Sequence, residues 1–133
     1  ANPRIAMNNS HNGTQEKIRD LDELAGILAP LRADGKKIVH CHGVFDLLHI
    51  GHIRHFRQAK ELGDVLVVTA TPDEYVNKGD GRPAFNEQLR VEALAALDCV
   101  DFIEASTCET FEAGQRSEAC VSVCASALQD SGE

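Results

Sequence analysis

The chain has 133 residues, 43% hydrophobic and 26% charged, which is typical of one globular domain. Its 13 Lys and Arg against 21 Asp and Glu give a formal net charge of −8, which argues against non-specific binding to nucleic acid or to an anionic membrane. The sequence shows no apolar run of the roughly 18–20 residues that a membrane span needs, and no secretory signal. Because the five Cys include no zinc-type CxxC pair, we expect reduced thiols and a cytoplasmic protein.

The N-terminal part predicts a flexible arm, then a helix and a strand. Residues 1–16 are polar and lack apolar periodicity, so we interpret them as the arm. Leucines recur at helical spacing over residues 21–31. Pro30 lies inside that stretch, and we expect it to kink the helix or to end it early. A short strand is predicted over residues 37–41.

The middle of the chain alternates helical and strand patterns. We predict a helix over 51–62, a strand over 65–70, a helix over 86–97 and a strand over 100–103. Residues 65–70 are apolar almost throughout, which suits a strand covered on both faces of a parallel sheet. The alternation therefore predicts an α/β fold, a Rossmann-like parallel sheet with flanking helices.

The C-terminal part has a different composition. Ala, Ser, Cys and Glu dominate after Ser106, and residues 105–133 hold one basic and five acidic side chains. Only weak patterns for a helix over 109–118 and a strand over 120–124 are present. We therefore divide the chain into an arm, a central α/β domain and a divergent or truncated C-terminal tail, at residues 1–16, 17–106 and 107–133.

Five of the six histidines lie between positions 40 and 55, around a predicted strand–loop–helix junction. In a parallel sheet, ligands bind at the loop that leaves the carboxyl end of a strand, and a helix N-terminus favours phosphate. His49 and His52 lie three residues apart across the first helical turn, so both can face one anion. There are two alternatives: a metal site formed by His49, His52 and His55, or ordinary surface histidines. The metal site is disfavoured because residues six apart on a helix, such as His49 and His55, point about 120° away from each other. We expect His40 to be structural and His55 to be solvated.

The run from Gly43 to His52 reads GVFDLLHIGH and resembles the GxFDxxHxGH signature of the cytidylyltransferase-like nucleotidyltransferases. The resemblance extends over residues 21–103. It is similar in particular to the nucleotidyltransferase domains of ADP-heptose synthases and to glycerol-3-phosphate cytidylyltransferases. The resemblance implies an enzyme that transfers CMP or AMP from CTP or ATP to a phosphorylated sugar or polyol and releases pyrophosphate.

The resemblance also implies roles for individual residues. Catalytic roles fall to His49, His52 and Lys78. Thr71 and Asp73 match positions near the substrate, and Asp73 could equally cap the short turn after Pro72. Contacts with the nucleotide are expected from Gly43, Val44, Phe45, Asp46, Gly51, Arg82 and Arg90. Asp46 has a second interpretation, as an orienting residue for its loop. Mg²⁺ is expected as the cofactor because the charge of the leaving pyrophosphate must be neutralised, and we predict no direct protein ligand to it.

Two departures from the family pattern qualify these expectations. His42 stands where close relatives have Asn or Tyr, and we expect this difference to alter the polarity of the pocket or the nucleotide preference. The Lys-Gly-rich loop and the Ser/Thr-rich signature of the family are not recognisable in the C-terminal tail. The alternative function is therefore a catalytically incomplete nucleotide-binding fragment that serves as a binding or assembly module. A homodimer is the oligomer that the resemblance suggests. The sequence leaves three questions open: whether the nucleotide is CTP or ATP, which acceptor is used, and whether the chain is fused to a kinase domain.

Overall fold

Helices and strands alternate along the chain in this computed structural model, which describes residues 15–76 and 83–105 and the backbone of residues 120–124. The helices are α1 (Leu21–Ala33), α2 (Ile50–Glu61) and α3 (Glu87–Ala95). The strands are β1 (Ile38–Gly43), β2 (Val65–Ala70), β3 (Phe102–Ala105) and β4 (Cys120–Cys124), and a 3-10 turn at Asp73–Tyr75 follows β2.

The strands pair in parallel in the order β3-β2-β1-β4. β1 and β2 are in register from Ile38 beside Val65 to Gly43 beside Ala70, so the two strands end together. The carboxyl ends of neighbouring parallel strands therefore meet at one edge of the sheet, where this class of fold binds ligands. The predicted Rossmann-like α/β fold is confirmed.

Both faces of the sheet are covered, which explains the continuous apolar run of β2. Leu66 and Val68 lie in the larger core cluster with side chains of α2 and α3. Val67, between them, points to the other face and packs with Leu24 and Leu28 of α1. Alternate side chains of one strand thus fill two separate cores, as expected for a buried parallel strand.

The boundaries of α1 follow from its caps. The Asp20 carboxylate accepts from the Glu23 backbone N–H at 2.8 Å and the Glu23 side chain accepts from the Asp20 backbone N–H at 3.3 Å, a reciprocal capping box. The expectation that Pro30 ends the helix early is wrong, since α1 continues to Ala33. Pro30 lies in the last turn, where its carbonyl still accepts from Asp34 at 3.0 Å, so only the bond of its missing N–H is lost.

β3 also differs from its predicted bounds. β3 begins at Phe102 and not at residue 100, because the Val100 backbone N–H closes a turn on Leu97 and the Asp101 carboxylate accepts from the Leu66 N–H. The strand predicted at 120–124 is present as β4 beside β1. The helix predicted over 109–118 lies outside the described residues. Within the described ranges, none of the helices is long and apolar enough to cross a membrane.

Candidate active site

The candidate site lies at the carboxyl ends of β1 and β2. The loop after β1 leads through residues 44–49 into α2, and residues 71–76 follow β2. The two loops are tied together where they leave the sheet, because the Thr71 N–H donates to the Gly43 carbonyl at 2.9 Å. Gly43 and Thr71 were both predicted as site residues, and the structure brings them together.

His49 and His52 form a capping box at the N-terminus of α2. His49 is the N-cap residue, and its Nδ1 accepts from the Gly51 backbone N–H at 3.0 Å. His52 Nδ1 accepts from the His49 backbone N–H at 3.3 Å. In a neutral imidazole, a ring nitrogen that accepts leaves the proton on the other nitrogen. Both rings are therefore Nε2–H donors.

The two imidazoles are close enough to serve one ligand. Their ring centroids lie 4.0 Å apart at the end of the helix where backbone N–H groups and the helix dipole favour an anion. His49 is exposed, whereas His52 is 6% exposed and packs against the edge of Phe45. The pair offers two N–H donors of the kind that suits phosphate oxygens.

Gly51 is required by the position of the His49 ring. A Cβ at residue 51 would lie 2.7 Å from Cε1 and 2.9 Å from Nδ1 of His49. Because real Cβ atoms do not approach other atoms so closely, any larger residue displaces the imidazole from its cap. The glycine of the motif thus keeps the histidine ring over the first helical turn.

Phe45 sets the shape of the loop after β1. Its φ of +52° lies in the left-handed region, which is strained for a residue with a side chain. The ring is 4% exposed and packs edge-on against both His52 and Phe56, with centroids 5.6 and 5.1 Å away. Core packing therefore holds the strained backbone and positions one of the two histidines.

Asp46 holds the segment that enters α3. Its two carboxylate oxygens accept from the Ala84 and Phe85 backbone N–H groups at 2.8 and 3.0 Å. This geometry corresponds to the second interpretation of Asp46, the orienting residue. The carboxylate links two loops that are nearly forty residues apart in sequence.

Arg90 occupies the centre of the site's framework and is 1% exposed. Its guanidinium donates to the carbonyls of Val44 and Thr71 at 2.8 and 2.7 Å. A third bond goes to the Phe85 carbonyl at 3.0 Å, and an ion pair joins it to Asp73 Oδ1 at 2.6 Å. In this structure Arg90 and Asp73, which were predicted to contact substrates, hold the loops after β1 and β2 against α3.

Other predicted residues have different outcomes. His40 is fully buried in β1, as expected of a structural residue. The expectation of a solvated His55 is wrong: it is 4% exposed, its Nε2 lies 3.9 Å from Cys41 Sγ, and burial lowers its pKa from the ordinary value of 6.5. His55 lies on the face of α2 that packs on β1. Lys78 and Arg82 lie outside the described residues.

An apolar cavity of about 330 Å³ lies between the loop after β1 and α3. It is lined by Phe45, Asp46, Leu48, Phe85, Leu89, Arg90 and Ala93. Among the described side chains, no group of three or more His, Cys, Asp or Glu is arranged to hold a metal ion.

The sequence profile of the cytidylyltransferase-like family matches residues 40–128, which includes the histidine pair and β4. The chain belongs to this family. The match confirms the family resemblance predicted from the GxFDxxHxGH motif. The matched range begins within β1 and ends, in sequence, after β4.

Proteins with similar sequences include much longer ones. One is the bifunctional protein HldE of Geobacter metallireducens, 46% identical over 100 residues, which are 74% of this chain and 20% of that protein. Another is the bifunctional protein HldE of Desulfatibacillum aliphaticivorans, 48% identical over 91 residues, 67% of this chain and 19% of that protein. The chain thus spans about a fifth of these relatives.

A solved structure also resembles this chain. The lipopolysaccharide core biosynthesis protein of Thermoplasma volcanium matches with a TM-score of 0.51 and 35% sequence identity, over 54% of this chain and 59% of that one. The likeness supports the Rossmann-like architecture of the cytidylyltransferase-like domain.

The sequence did not identify His42 as part of a network, only as a departure. Its Nδ1 lies 2.7 Å from Thr69 Oγ1 and its Nε2 lies 3.2 Å from Thr71 Oγ1. The available signal was the period of the strands, since residues 40 and 42 of β1 share a face and residues 69 and 71 are two apart in the neighbouring strand and its exit.

Proposed function

We propose that this chain catalyses nucleotidyl transfer to a phosphorylated sugar or polyol. A phosphate oxygen of the acceptor attacks the α-phosphorus of CTP or ATP, the bond to the β-phosphate oxygen breaks, and pyrophosphate leaves with the electron pair of that bond. Membership of the cytidylyltransferase-like family supports the reaction class. The paired Nε2–H donors of His49 and His52 at the N-terminus of α2 are the observation that carries the proposal.

The histidine pair acts on the phosphate chain. As the α-phosphorus becomes five-coordinate, negative charge grows on its outer oxygens, and donors that are already in place stabilise that charge without reorganising. The two capping bonds fix each ring, so the donors are positioned before the substrate arrives. Backbone groups of Gly43, Val44 and Phe45 lie at the same edge of the sheet and approach the nucleotide.

The clamps around the site have a supporting role. Asp46 and Arg90 connect the loop after β1 to the entry of α3, and Arg90 also holds Thr71 and Asp73 beside Gly43. These bonds keep the two substrate loops at a fixed separation. Lys78 and Arg82 are proposed to contact the phosphates from the segment between the clamped ends.

Mg²⁺ is proposed to enter bound to the nucleoside triphosphate. The carboxylates of Asp46 and Asp73 at this edge are engaged by backbone N–H groups and by Arg90, which fits an ion held by phosphate oxygens. The ion supplies charge neutralisation on the leaving pyrophosphate.

The alternative, a catalytically incomplete binding fragment, is not favoured. The family match extends through residue 128, and β4 completes the sheet beside β1 in parallel. We retain a homodimer and a cytoplasmic location as proposals that follow from the family.

Pyrophosphate release tests the proposed function. The chain is incubated with Mg²⁺, with CTP or ATP, and with a panel of phosphorylated sugars and polyols. We expect release that depends on one nucleotide and on one acceptor class, and its loss in the His49→Asn/His52→Gln double variant. Nucleotide binding without release for any acceptor would instead establish the binding-module alternative.

A further inference from the structure

Four side chains form a continuous hydrogen-bonded row on the α1 face of the sheet. His40 Nε2 lies 2.7 Å from Thr69 Oγ1, the same oxygen lies 2.7 Å from His42 Nδ1, and His42 Nε2 lies 3.2 Å from Thr71 Oγ1. His40 and Thr69 are fully buried, whereas His42 and Thr71 are partly exposed at the carboxyl edge. The row therefore runs from the core to the site.

The Thr69 hydroxyl restricts the directions of the hydrogen bonds in this row, because it has one proton and lies within hydrogen-bond distance of two ring nitrogens. It donates to one imidazole at most, so at least one ring must donate to it. When Thr69 donates to His42 Nδ1, the neutral His42 ring carries its proton on Nε2 and donates to Thr71. The Thr71 hydroxyl then has its own proton to give to a ligand.

The opposite direction reverses the role of Thr71. When His42 donates to Thr69 from Nδ1, its Nε2 is an acceptor and takes the Thr71 proton. Thr71 then presents only lone pairs to the site. An anionic ligand oxygen is repelled by that arrangement and is bound by the first one, so phosphate at Thr71 selects one direction for the whole row.

We propose that His42 is a positioning residue that presents the Thr71 hydroxyl as a donor to a phosphate oxygen of the acceptor substrate. The inference rests on the proposed function and on the expectation, which the family resemblance implies, that Thr71 lies near the substrate. Through Thr69 the same choice of direction extends to buried His40: when Thr69 donates to His42, the His40 ring must donate to Thr69 from Nε2, so occupancy at the edge of the sheet restricts the tautomer of a histidine in the core. His42 is thus a determinant of acceptor recognition, and not of nucleotide recognition.

Two substitutions at residue 42 distinguish the role of the ring Nδ1 from that of Nε2. An Asn amide ends near the position of Nδ1 and reaches Thr69, whereas a Gln amide extends to the position of Nε2 and reaches Thr71. We expect His42→Gln to keep the KM for the phosphorylated acceptor within about threefold of wild type, and His42→Asn to raise it about tenfold or more, the size of one hydrogen bond to a charged group. The kcat and the KM for the nucleotide should change less than about threefold in both.

Kinetic outcomes distinguish this proposal from the proposed function. Equal acceptor KM values for wild type, His42→Asn and His42→Gln would overturn the role of His42 while leaving nucleotidyl transfer in place. A wild-type chain that releases no pyrophosphate with any acceptor would overturn the proposed function. In that case the coupling along the row from His40 to Thr71 is tested by a measurement that needs no turnover.

That measurement is the tautomeric state of the histidines, read from two-bond ¹H–¹⁵N correlation spectra of protein labelled at histidine nitrogens, with inorganic phosphate as the probe. We expect phosphate to shift the ring nitrogens of His42 and of buried His40 in the wild type, and to leave His40 unchanged in Thr71→Val. Thr71→Ser keeps the hydroxyl and should retain the response. An unchanged His40 in phosphate-saturated wild type, or an equal shift in Thr71→Val, would overturn the coupling.

Discussion

The loops after β1 and β2 meet at one edge of the sheet but use their polar side chains differently. In the loop after β1, His49 and His52 each accept a backbone N–H bond of the first turn of α2 through Nδ1. Around the loop after β2, Arg90 and Asp73 are bonded to each other and Arg90 to backbone carbonyls. We propose that the histidines supply the groups for the ligand, whereas the full charges of Arg90 and Asp73 hold the framework.

This division follows from the cost of burial. A guanidinium that is 1% exposed must have its donors satisfied by the protein, and Arg90 meets this requirement with three carbonyls and a carboxylate. A neutral imidazole can satisfy one nitrogen internally and still present the other. The residue type that suits a preformed donor at this edge is therefore histidine.

The largest expected effect comes from removing the charged clamp. Arg90→Leu leaves the carbonyls of Val44 and Thr71 and the Asp73 carboxylate without their donor, so we expect the free energy of unfolding to fall by about 3–5 kcal/mol. Urea denaturation measures it, with Arg57→Leu on the exposed face of α2 as the control. A stable Arg90→Leu protein that has lost only nucleotide affinity would reverse the comparison and make Arg90 a ligand residue.

The second effect concerns the histidine side. Gly51→Ala places a Cβ against the His49 ring and moves the Nε2–H donor, so we expect kcat to fall about 100-fold, the typical value of one transition-state donor. Stability should change by no more than about 1 kcal/mol, because the gain in helix propensity offsets the weakened cap.

Gly26→Ala is the matched control, since a Cβ at Gly26 in α1 meets nothing within 4 Å. It should stabilise the protein by up to about 1 kcal/mol and leave kcat unchanged. If Gly51→Ala retained full activity, the position of the His49 ring would not matter to the reaction.

A smaller effect is expected at Asp46, which lies in the loop after β1 and binds the segment that enters α3. Asp46→Asn keeps the shape and leaves one oxygen for two backbone N–H groups, so the unfolding free energy should fall by about 1–2 kcal/mol. Nucleotide affinity, measured by calorimetry under conditions where the variant is fully folded, should change less than about threefold, which is less than the loss of one hydrogen bond. A loss of affinity much greater than the loss of stability would show that the carboxylate meets the nucleotide complex directly.

The smallest effect is a pH dependence from His55, the histidine that faces the core. Burial lowers its pKa below 6.5, so the unfolded chain binds more protons than the folded one as pH falls below 6.5. The contribution of His55 to the unfolding free energy should thus be constant above pH 6.5. It should decline as the pH falls below 6.5 and become constant again below the pKa of His55 in the folded protein. Denaturation at about pH 8 and about pH 5.5 should show a weaker decline in His55→Leu than in wild type. An equal decline would mean that His55 does not contribute.

The fold and the histidine pair were predictable because their signals are local. Helical spacing, the apolar run of β2 and the motif from Gly43 to His52 each lie within a short stretch of sequence. The role of Arg90 was not predictable, because its partners are residues 44, 71, 73 and 85, and sequence records its charge but not its neighbours. His55 was misplaced for the same reason: the face of α2 that meets β1 includes a histidine beside Cys41.

Nucleotide binding to a variant that keeps both caps tests the central claim most directly. In His49→Asn/His52→Gln, the Asn oxygen can cap α2 and Gln is a favoured partner in a capping box, so the fold is retained while both imidazole Nε2–H donors are removed. We expect calorimetry with CTP and ATP to show at least a roughly 100-fold loss of affinity for the nucleotide that wild type binds, about 1.4 kcal/mol or more for each donor. Unchanged affinity in a variant with wild-type unfolding free energy would contradict the assignment of the histidine pair to the triphosphate.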